Sequence, residues 1–404
     1  MKRCCKRIDI SDRRLIERAT RDCLHGKMSR SDVIRMFSEY SKVPYDVIRK
    51  ICKDTNAMNG LINTVIDGIQ QEILNKKYVV KPIRYRKQVD KCNGKVRNIG
   101  IQDIKQQIFD YISVYAMEEL FRKKLGFYQC GALKKKGNEF GSKAIKKWVD
   151  NHNMRWAWQA DIRHYYETIP KSKLKELLTR DVDNSDILHL VFFLIDTFDG
   201  GLSIGSYLSQ YLANYYMSYA YHYTSEQIAR LRKRRNGTVL RRNLVSHVLF
   251  QMDDILIVSK SLKDLKMAVR QFSKYVKDFL NLEIKETSKF IDLRDEYIDI
   301  LGRKISRKSL TVRSPNFIRF RRTATKVRIL VHQSNDIPVS LAKSYIGRYG
   351  AIKHSNTKYF QKKYHVPEDL KRCKNIVCTY ERRTKKYESN EIWSSTTQSI
   401  ILSS

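Results

Sequence analysis

The sequence has no long uninterrupted hydrophobic run. Its longest apolar stretch, residues 187–195, is interrupted by His189 and is far shorter than the roughly 20 residues of a membrane span. Residues 1–7 are basic, but polar and charged residues follow where a secretory signal would be apolar. We therefore expect a cytoplasmic protein with no membrane association.

The sequence also has no CxxC motif among its eight cysteines. Cys373 and Cys378 could form half of a zinc site, but no matching His/Cys pair is nearby. Free thiols are the favoured interpretation, with zinc as the alternative.

Acidic residues are scarce, with 42 Asp+Glu against 79 Lys+Arg and a formal charge of +37. This excess is far larger than solubility requires and indicates a polyanionic partner. It is clustered, because residues 230–242 contain seven basic and no acidic residues, and residues 303–328 contain ten and none. The clusters lack an amphipathic apolar face, and aromatic residues such as Phe317 and Phe320 interleave with the charge. Nucleic acid is therefore favoured over a membrane surface.

Three carboxylates stand out against this basic background. Asp253 and Asp254 interrupt VLFQMDDILIV, a β-branched apolar stretch that predicts two strands joined by a turn. Asp161 follows a second strand-like segment, WAWQA. Carboxylates from two such segments can hold a pair of divalent cations, as two-metal phosphoryl transfer requires.

Between these segments lies GLSIGSYLSQYLANYY, a glycine-punctuated turn followed by a helix-like sequence. In this order ADIRHYYETI, IGSYLSQ and QMDD resemble the first motif, the second motif and the YxDD box of reverse transcriptases, over residues 81–364. The resemblance implies an α+β right-hand polymerase with fingers, a palm of antiparallel sheet plus helices, and a helical thumb. It also implies DNA synthesis from dNTPs on an RNA template, with two Mg²⁺ ions, or Mn²⁺ as the alternative.

The same resemblance assigns roles to the residues of the first motif and the YxDD box. Asp161, Asp253 and Asp254 are the expected catalytic metal ligands, and the Ile162 carbonyl is a further one. Tyr166 occupies the position of the steric gate that excludes the 2′-hydroxyl of a ribonucleotide, with packing of its ring as the alternative.

A lysine that protonates pyrophosphate is expected in LNLEIKETSKF, which resembles the fourth palm motif. Lys289 is the first candidate and Lys285 the second.

The second motif departs from the usual PQG pattern, because Ser203 and Ile204 replace its proline and glutamine. The resemblance assigns Ile204, Gly205 and Gln210 to the nucleotide site. Within the family, IGxxxSQ is typical of diversity-generating retroelement enzymes and nearby unclassified bacterial groups. In the former it accompanies error-prone copying. Gln251 replaces the usual aromatic residue of the YxDD box, which affects the expected primer contact.

An alternating stretch, IRYRKQVDKCNGKVRNIGI, predicts two strands joined at Asn93-Gly94. It resembles the fingers hairpin that holds the incoming triphosphate, with Lys95 and Arg97 at the matching positions. A solvated basic hairpin is the alternative.

Further basic and aromatic residues are expected to contact nucleic acid, from a glycine- and lysine-rich segment and from the thumb. These residues are Lys134, Lys135, Lys136, Arg319, Arg321, Arg322, Tyr345 and Arg348. A flexible charged loop is the alternative for the three lysines, and core packing explains some of the thumb aromatics.

The predicted organisation has four parts: a helical extension over residues 1–75, fingers and palm over 76–310, a helical thumb over 311–377, and a tail over 378–404. The extension is interpreted as a buttress for the fingers, with an RNA or accessory-protein contact as the alternative. The expected partners are an RNA template, DNA product and dNTPs, together with an accessory protein or a second copy of the chain.

Two biological programmes fit these motifs. One is antiphage defence with a dedicated noncoding RNA, and the other is mutagenic copying in a diversity-generating retroelement. A noncatalytic RNA-binding protein on the same fold is the alternative of another class.

Overall fold

Helices and small sheets alternate along the chain and form a mixed α and β fold. The computed structural model describes residues 3–51, 55–89, 94, 96–133, 135–334 and 336–390, with backbone alone at 55, 56 and 383–390. The predicted α+β class is confirmed in this coarse sense. Within these ranges, no helix is both long and apolar enough to cross a membrane.

The described chain begins and ends with helices, and further helices lie between the strands. In chain order they are α1 (Arg13–Leu24), α2 (Ser31–Ser41), α3 (Tyr45–Ile51), α4 (Thr55–Leu74), α5 (Ile104–Ala116), α6 (Glu118–Lys124), α7 (Asn138–Asp150), α8 (Tyr165–Thr168), α9 (Lys171–Asp181), α10 (Ser185–Asp196), α11 (Tyr207–His222), α12 (Leu262–Leu280), α13 (Ser314–Gln333), α14 (Val339–Ile352), α15 (Lys358–Lys363) and α16 (Val366–Asn390).

The strands are short. They are β1 (Arg84–Val89), β2 (Val96–Ile101), β3 (Gln129–Cys130), β4 (Trp156–Asp161), β5 (Ala229–Lys233), β6 (Val239–Asn243), β7 (His247–Gln251), β8 (Asp254–Ser259), β9 (Lys289–Asp292), β10 (Ile298–Ile300), β11 (Arg303–Ile305) and β12 (Leu310–Val312).

A five-stranded sheet in the order β3-β7-β8-β4-β9 forms the centre of the molecule. Its pairs are antiparallel except for β3 with β7. Side chains alternate between its faces, as the strand period of two requires. Ile255 and Ile257 of β8 pack in one core with α11 and α12, while Leu256 and Val258 pack in a second core with α7 and β10–β12. Both faces are therefore covered, which fixes the register of the strands.

The N-terminal helices share the larger of these cores. Ile16 of α1, Phe37 of α2 and Ile66 of α4 are buried in one continuous cluster with α5, α10 and α11. The helical content predicted for residues 1–75 is thus present, and these helices pack directly against the rest of the fold.

The two-stranded hairpins β1–β2 and β5–β6 and a helical unit complete the fold. The β1–β2 pair forms the hairpin that the alternating stretch predicts, with Gly94 at positive φ; Asn93 lies outside the described residues. Helices α13–α16 have a separate core that contains Phe320, Tyr345 and Cys373.

Six cysteines within the described ranges, including Cys373 and Cys378, are free thiols.

Candidate active site

The turn between β7 and β8 holds Asp253 at one end of the central sheet. Gln251 pairs with Asp254, so only Met252 and Asp253 lie between the strands. Met252 has a φ of 56°, a left-handed conformation that is uncommon for a residue with a side chain. Its sulfur accepts a hydrogen bond from the Asn214 amide of α11 at 3.2 Å, which holds the turn against that helix.

The strand register brings the three predicted carboxylates together. Asp161 ends β4 and is the cross-strand partner of Asp254, so both side chains lie on the same face. The Ile162 amide donates to the Asp253 carbonyl at 3.1 Å and joins the turn to the chain beyond β4. Like charges directly opposite each other destabilise a strand pair, so this arrangement opposes the stability of the sheet.

The electrostatics of Asp253 reflect this crowding. Burial, followed by the negative charges of Asp161 and Asp254, raises the pKa of the Asp253 carboxyl to about 7. Carboxylates whose pKa is raised by desolvation and by neighbouring negative charges are typical of functional sites.

Lys285 contacts Asp161 through both backbone and side chain. Its amide donates to the Asp161 carbonyl at 2.8 Å, and its ammonium group forms an ion pair with the Asp161 carboxylate. Lys289 instead lies exposed on β9, opposite Gln159. The structure therefore places the second candidate lysine, rather than the first, against the carboxylate cluster.

Tyr166 lies beside this cluster on α8, with its hydroxyl 3.9 Å from the Met252 sulfur. Burial, followed by the negative charge of Asp253, raises the pKa of Tyr166. The ring is only partly buried, and its hydroxyl is on the side of the Met252 turn.

The second motif is fixed against the β1–β2 hairpin by a close backbone crossing. The Gly100 amide donates to the Ile204 carbonyl at 2.8 Å, and Ile204 forms a bridge with Ile99. Gly205 has a φ of 112°, and a Cβ there would lie 2.6 Å from the Gly100 carbonyl oxygen. Since no side chain fits this approach, glycine is required at this position.

Helix α11 begins at this crossing and carries Gln210 towards the site. Ser206 caps the helix by accepting from the Ser209 amide, and its hydroxyl donates to the buried Asp110 carboxylate at 2.7 Å. The Gln210 carbonyl accepts from Asn214, the residue that also holds the Met252 turn. The contacts of Asp110 and Asn214 depend on long-range packing and were not predicted from the sequence.

Arg97 lies on the exposed strand β2, and Lys95 lies outside the described residues. Arg97 lines an open cavity of about 700 Å³ together with Arg86, Lys87 and Arg319. Because Arg319 belongs to α13, the β1–β2 hairpin and the C-terminal helices contribute cations to the same space.

A second basic cavity, of about 1190 Å³, lies between α13 and α14 and is lined by Arg319, Arg321, Arg322 and Arg348. The Arg348 guanidinium donates to the Thr323 hydroxyl, which ties α14 to α13. The assignment of Tyr345 to a nucleic-acid surface is wrong for this structure. Its ring is fully buried against Phe320, and its hydroxyl donates to the Val366 carbonyl.

The lysines of the glycine-rich segment have different environments. Lys134 lies outside the described residues, and Lys135 is exposed. Lys136 donates to the Gly126 carbonyl at 3.2 Å and lies over the Phe127 ring. Lys136 thus has a role within the fold.

No protein-family model matches the chain, and no curated protein matches it.

Divalent cations such as Mg²⁺ bind carboxylate oxygens, and the donor set at this end of the sheet fits that chemistry. Within the described chain, no group of three His, Cys, Asp or Glu side chains already stands at metal-binding distances. Asp161 Oδ1 is nevertheless buried, and no described donor reaches it. A divalent cation held by Asp161 and Asp253 would give this oxygen a partner and would offset the repulsion between the carboxylates.

Proposed function

We propose that the chain is an RNA-directed DNA polymerase of the right-hand type. The observation that carries this proposal is the convergence of Asp161, Asp253 and Asp254 at one end of an antiparallel strand pair. In this interpretation the central sheet belongs to the palm, the β1–β2 hairpin to the fingers, and α13–α16 to the thumb. The bound Mg²⁺ pair, or Mn²⁺ in its place, would activate the primer 3′-hydroxyl and neutralise the leaving pyrophosphate.

The protein residues position the reactants around that centre. Asp161, Asp253 and Asp254 hold the cations, and the Ile162 carbonyl is proposed as a further ligand. The Lys285 ammonium lies where it could donate a proton to the departing phosphate. Ile204, in place of the usual glutamine, and Gly205 provide an apolar platform for the nucleotide. Their backbone is held in position against the β1–β2 hairpin.

Tyr166→Ala should increase ribonucleotide incorporation relative to deoxyribonucleotide incorporation. We expect a change of about tenfold or more, the scale of discrimination that pocket sterics provide, because the ring would no longer clash with the 2′-hydroxyl. Primer extension with matched concentrations of each nucleotide measures the ratio. Tyr166→Phe retains the ring and serves as the control. An unchanged ratio in Tyr166→Ala would assign the ring to packing alone.

Charge reversal at Arg319, Arg321 and Arg322 should weaken the binding of an RNA–DNA hybrid and reduce its salt dependence. The logarithm of affinity falls with the logarithm of salt concentration by about 0.7 to 0.9 for each phosphate neutralised, so three lost contacts should reduce the slope by about 2 to 3. Reversal of Lys362, Lys363 and Lys371, which are exposed on α15 and α16, is the matched control. If both variants keep the original slope, the hybrid does not follow the α13–α14 cavity.

Antiphage defence with a dedicated noncoding RNA is the proposed biological role, because the helical extension is not part of a minimal retroelement polymerase. Bacteria that express the chain with its flanking noncoding DNA should resist some phages, and the Asp253→Ala, Asp254→Ala double variant should not protect them. A near-repeat of a variable protein-coding segment beside the gene, with adenine-specific differences, would instead establish sequence diversification.

A noncatalytic RNA-binding protein is the alternative of another class. It would keep the basic cavities and bind RNA, but would incorporate no nucleotide. The crowded carboxylates count against it, since a protein that only binds a polyanion gains nothing from three acids beside its cleft.

A further inference from the structure

A basic hairpin, β5–β6, lies outside the central sheet and contributes no residue to the carboxylate site. Its strands pair antiparallel, from Ala229 opposite Asn243 to Lys233 opposite Val239. The turn beyond them is ordered, because Arg234 donates from its amide to the Thr238 carbonyl at 2.8 Å and Gly237 adopts positive φ. Apart from partly buried Ala229, both strands are exposed along their length.

The hairpin lies at the opposite end of the sheet from Asp253. Its base is anchored where the Leu244 amide donates to the Ile228 carbonyl and the Ser259 hydroxyl donates to the Leu244 carbonyl. Ser259 ends β8, whereas Asp254 begins it. At about 3.3 Å per residue, these two ends of β8 are separated by roughly 17 Å. The base of the hairpin is therefore separated from the carboxylate site by the length of β8.

Charge on the hairpin is strongly unbalanced. Residues 230–242 include seven basic and no acidic side chains. Arg230 lies directly opposite Arg242, a like-charge pair that destabilises a ribbon. At the base, Arg242 forms an ion pair with Asp264, and Arg241 donates to the Glu226 carbonyl. Four consecutive cations at and beside the turn are Arg232, Lys233, Arg234 and Arg235. Within the described chain, their side chains have no ion-pair or hydrogen-bond partner.

The distribution of side chains between the two faces identifies the kind of partner. Directly opposite residues point to the same face, so Arg232 and Leu240 share one face, while Lys233 and Val239 share the other. Each face thus carries cations beside an aliphatic residue, and neither offers a continuous apolar surface for a membrane. A ribbon with cations on both faces can contact phosphates on two sides, as the two backbones that border the shallow minor groove of a paired RNA segment present them.

We propose that the β5–β6 hairpin binds a double-stranded segment of the RNA partner outside the polymerase cleft, through Arg232, Lys233, Arg234 and Arg235. The choice of RNA rests on the proposed function. The RNA template that enters the cleft also extends outside it, so another segment of the same RNA molecule can reach the hairpin. The hairpin would hold a stem of that RNA and raise the local concentration of the segment to be copied.

The test compares two variants that lose the same charge. One replaces Arg232, Lys233, Arg234 and Arg235 by glutamine, and the other replaces Lys263, Lys266, Arg270 and Lys274, four exposed cations of α12. Both sets are exposed, and the hairpin set leaves the anchoring contacts of Arg241 and Arg242 intact. Matching circular dichroism spectra would establish that each variant folds.

Binding of an RNA stem-loop is measured as a function of salt without nucleotides, so the result does not depend on polymerase activity. The hairpin variant should lose about 3 from the salt slope, as four phosphate contacts imply, while the α12 variant keeps it. Extension of a short primer on an unstructured RNA template should remain within about twofold of the original rate, since the cleft is unchanged. An equal loss in both variants would reduce the effect to net charge and overturn the proposal. Equal binding of a DNA stem-loop of the same sequence would overturn the assignment to RNA.

Discussion

Asp253→Ala combined with Asp254→Ala should abolish nucleotide incorporation while leaving RNA binding nearly intact. Metal-ion stabilisation of a transition state is worth several kcal/mol, so its loss should reduce the rate on the order of 10³-fold or more. The basic cavities lie on other elements, and removal of two negative charges should strengthen RNA binding slightly. Primer extension and an RNA-binding titration on the same preparations measure both effects.

The stability of this double variant separates loss of chemistry from loss of folding. Burial and the neighbouring carboxylates raise the pKa of Asp253 to about 7, which means that its charge destabilises the metal-free fold at neutral pH. The double variant should therefore melt at the same temperature as the original chain or higher. Asp278→Ala with Asp295→Ala removes two exposed carboxylates and serves as the control. Incorporation above a metal-free background in the double variant would contradict the site.

Lys285→Met should reduce the rate of incorporation much more than Lys289→Met does. A positioned proton donor contributes about 10²- to 10⁴-fold, and the structure places the Lys285 ammonium against Asp161. Lys289 is exposed on β9, so its replacement should change the rate little. The two single variants control for each other, because each removes one lysine from the same short segment.

Single-turnover rates across a pH range would assign the role of the lysine. A proton donor should leave substrate affinity nearly unchanged and alter the pH profile. If Lys289→Met gave the larger loss, Lys285 would be a structural partner of Asp161 instead of the donor.

The carboxylate site was largely predictable because its signals are local. Apolar β-branched residues on both sides of Asp253 and Asp254 predict two strands and a turn, and β7 and β8 have that arrangement. The β10–β11 pair has the same kind of local signal, because Leu301 and Gly302 form its turn and both adopt positive φ. Positive φ at a two-residue turn and alternation along a strand can both be inferred from neighbouring residues.

The predictions from sequence were wrong or incomplete where long-range packing determines the position of a side chain. Tyr345 lies among basic residues, but the helical period turns its ring towards Phe320 and away from solvent. The choice between Lys285 and Lys289 depends on the bridge between Ile162 and Ile284, which joins segments more than a hundred residues apart. The Asp110 contact with Ser206 has the same origin. A sequence pattern cannot show these pairings because neither partner signals the other.

The most direct test of polymerase function is primer extension by the purified chain on poly(rA) primed with oligo(dT), in Mg²⁺, with dTTP or UTP supplied separately. The proposed function predicts long DNA products with dTTP and little extension with UTP, and it predicts that the Asp253→Ala, Asp254→Ala variant gives neither. Tight RNA binding without extension by either nucleotide would contradict the account in favour of a noncatalytic RNA-binding protein, and extension with UTP alone would make the chain an RNA polymerase.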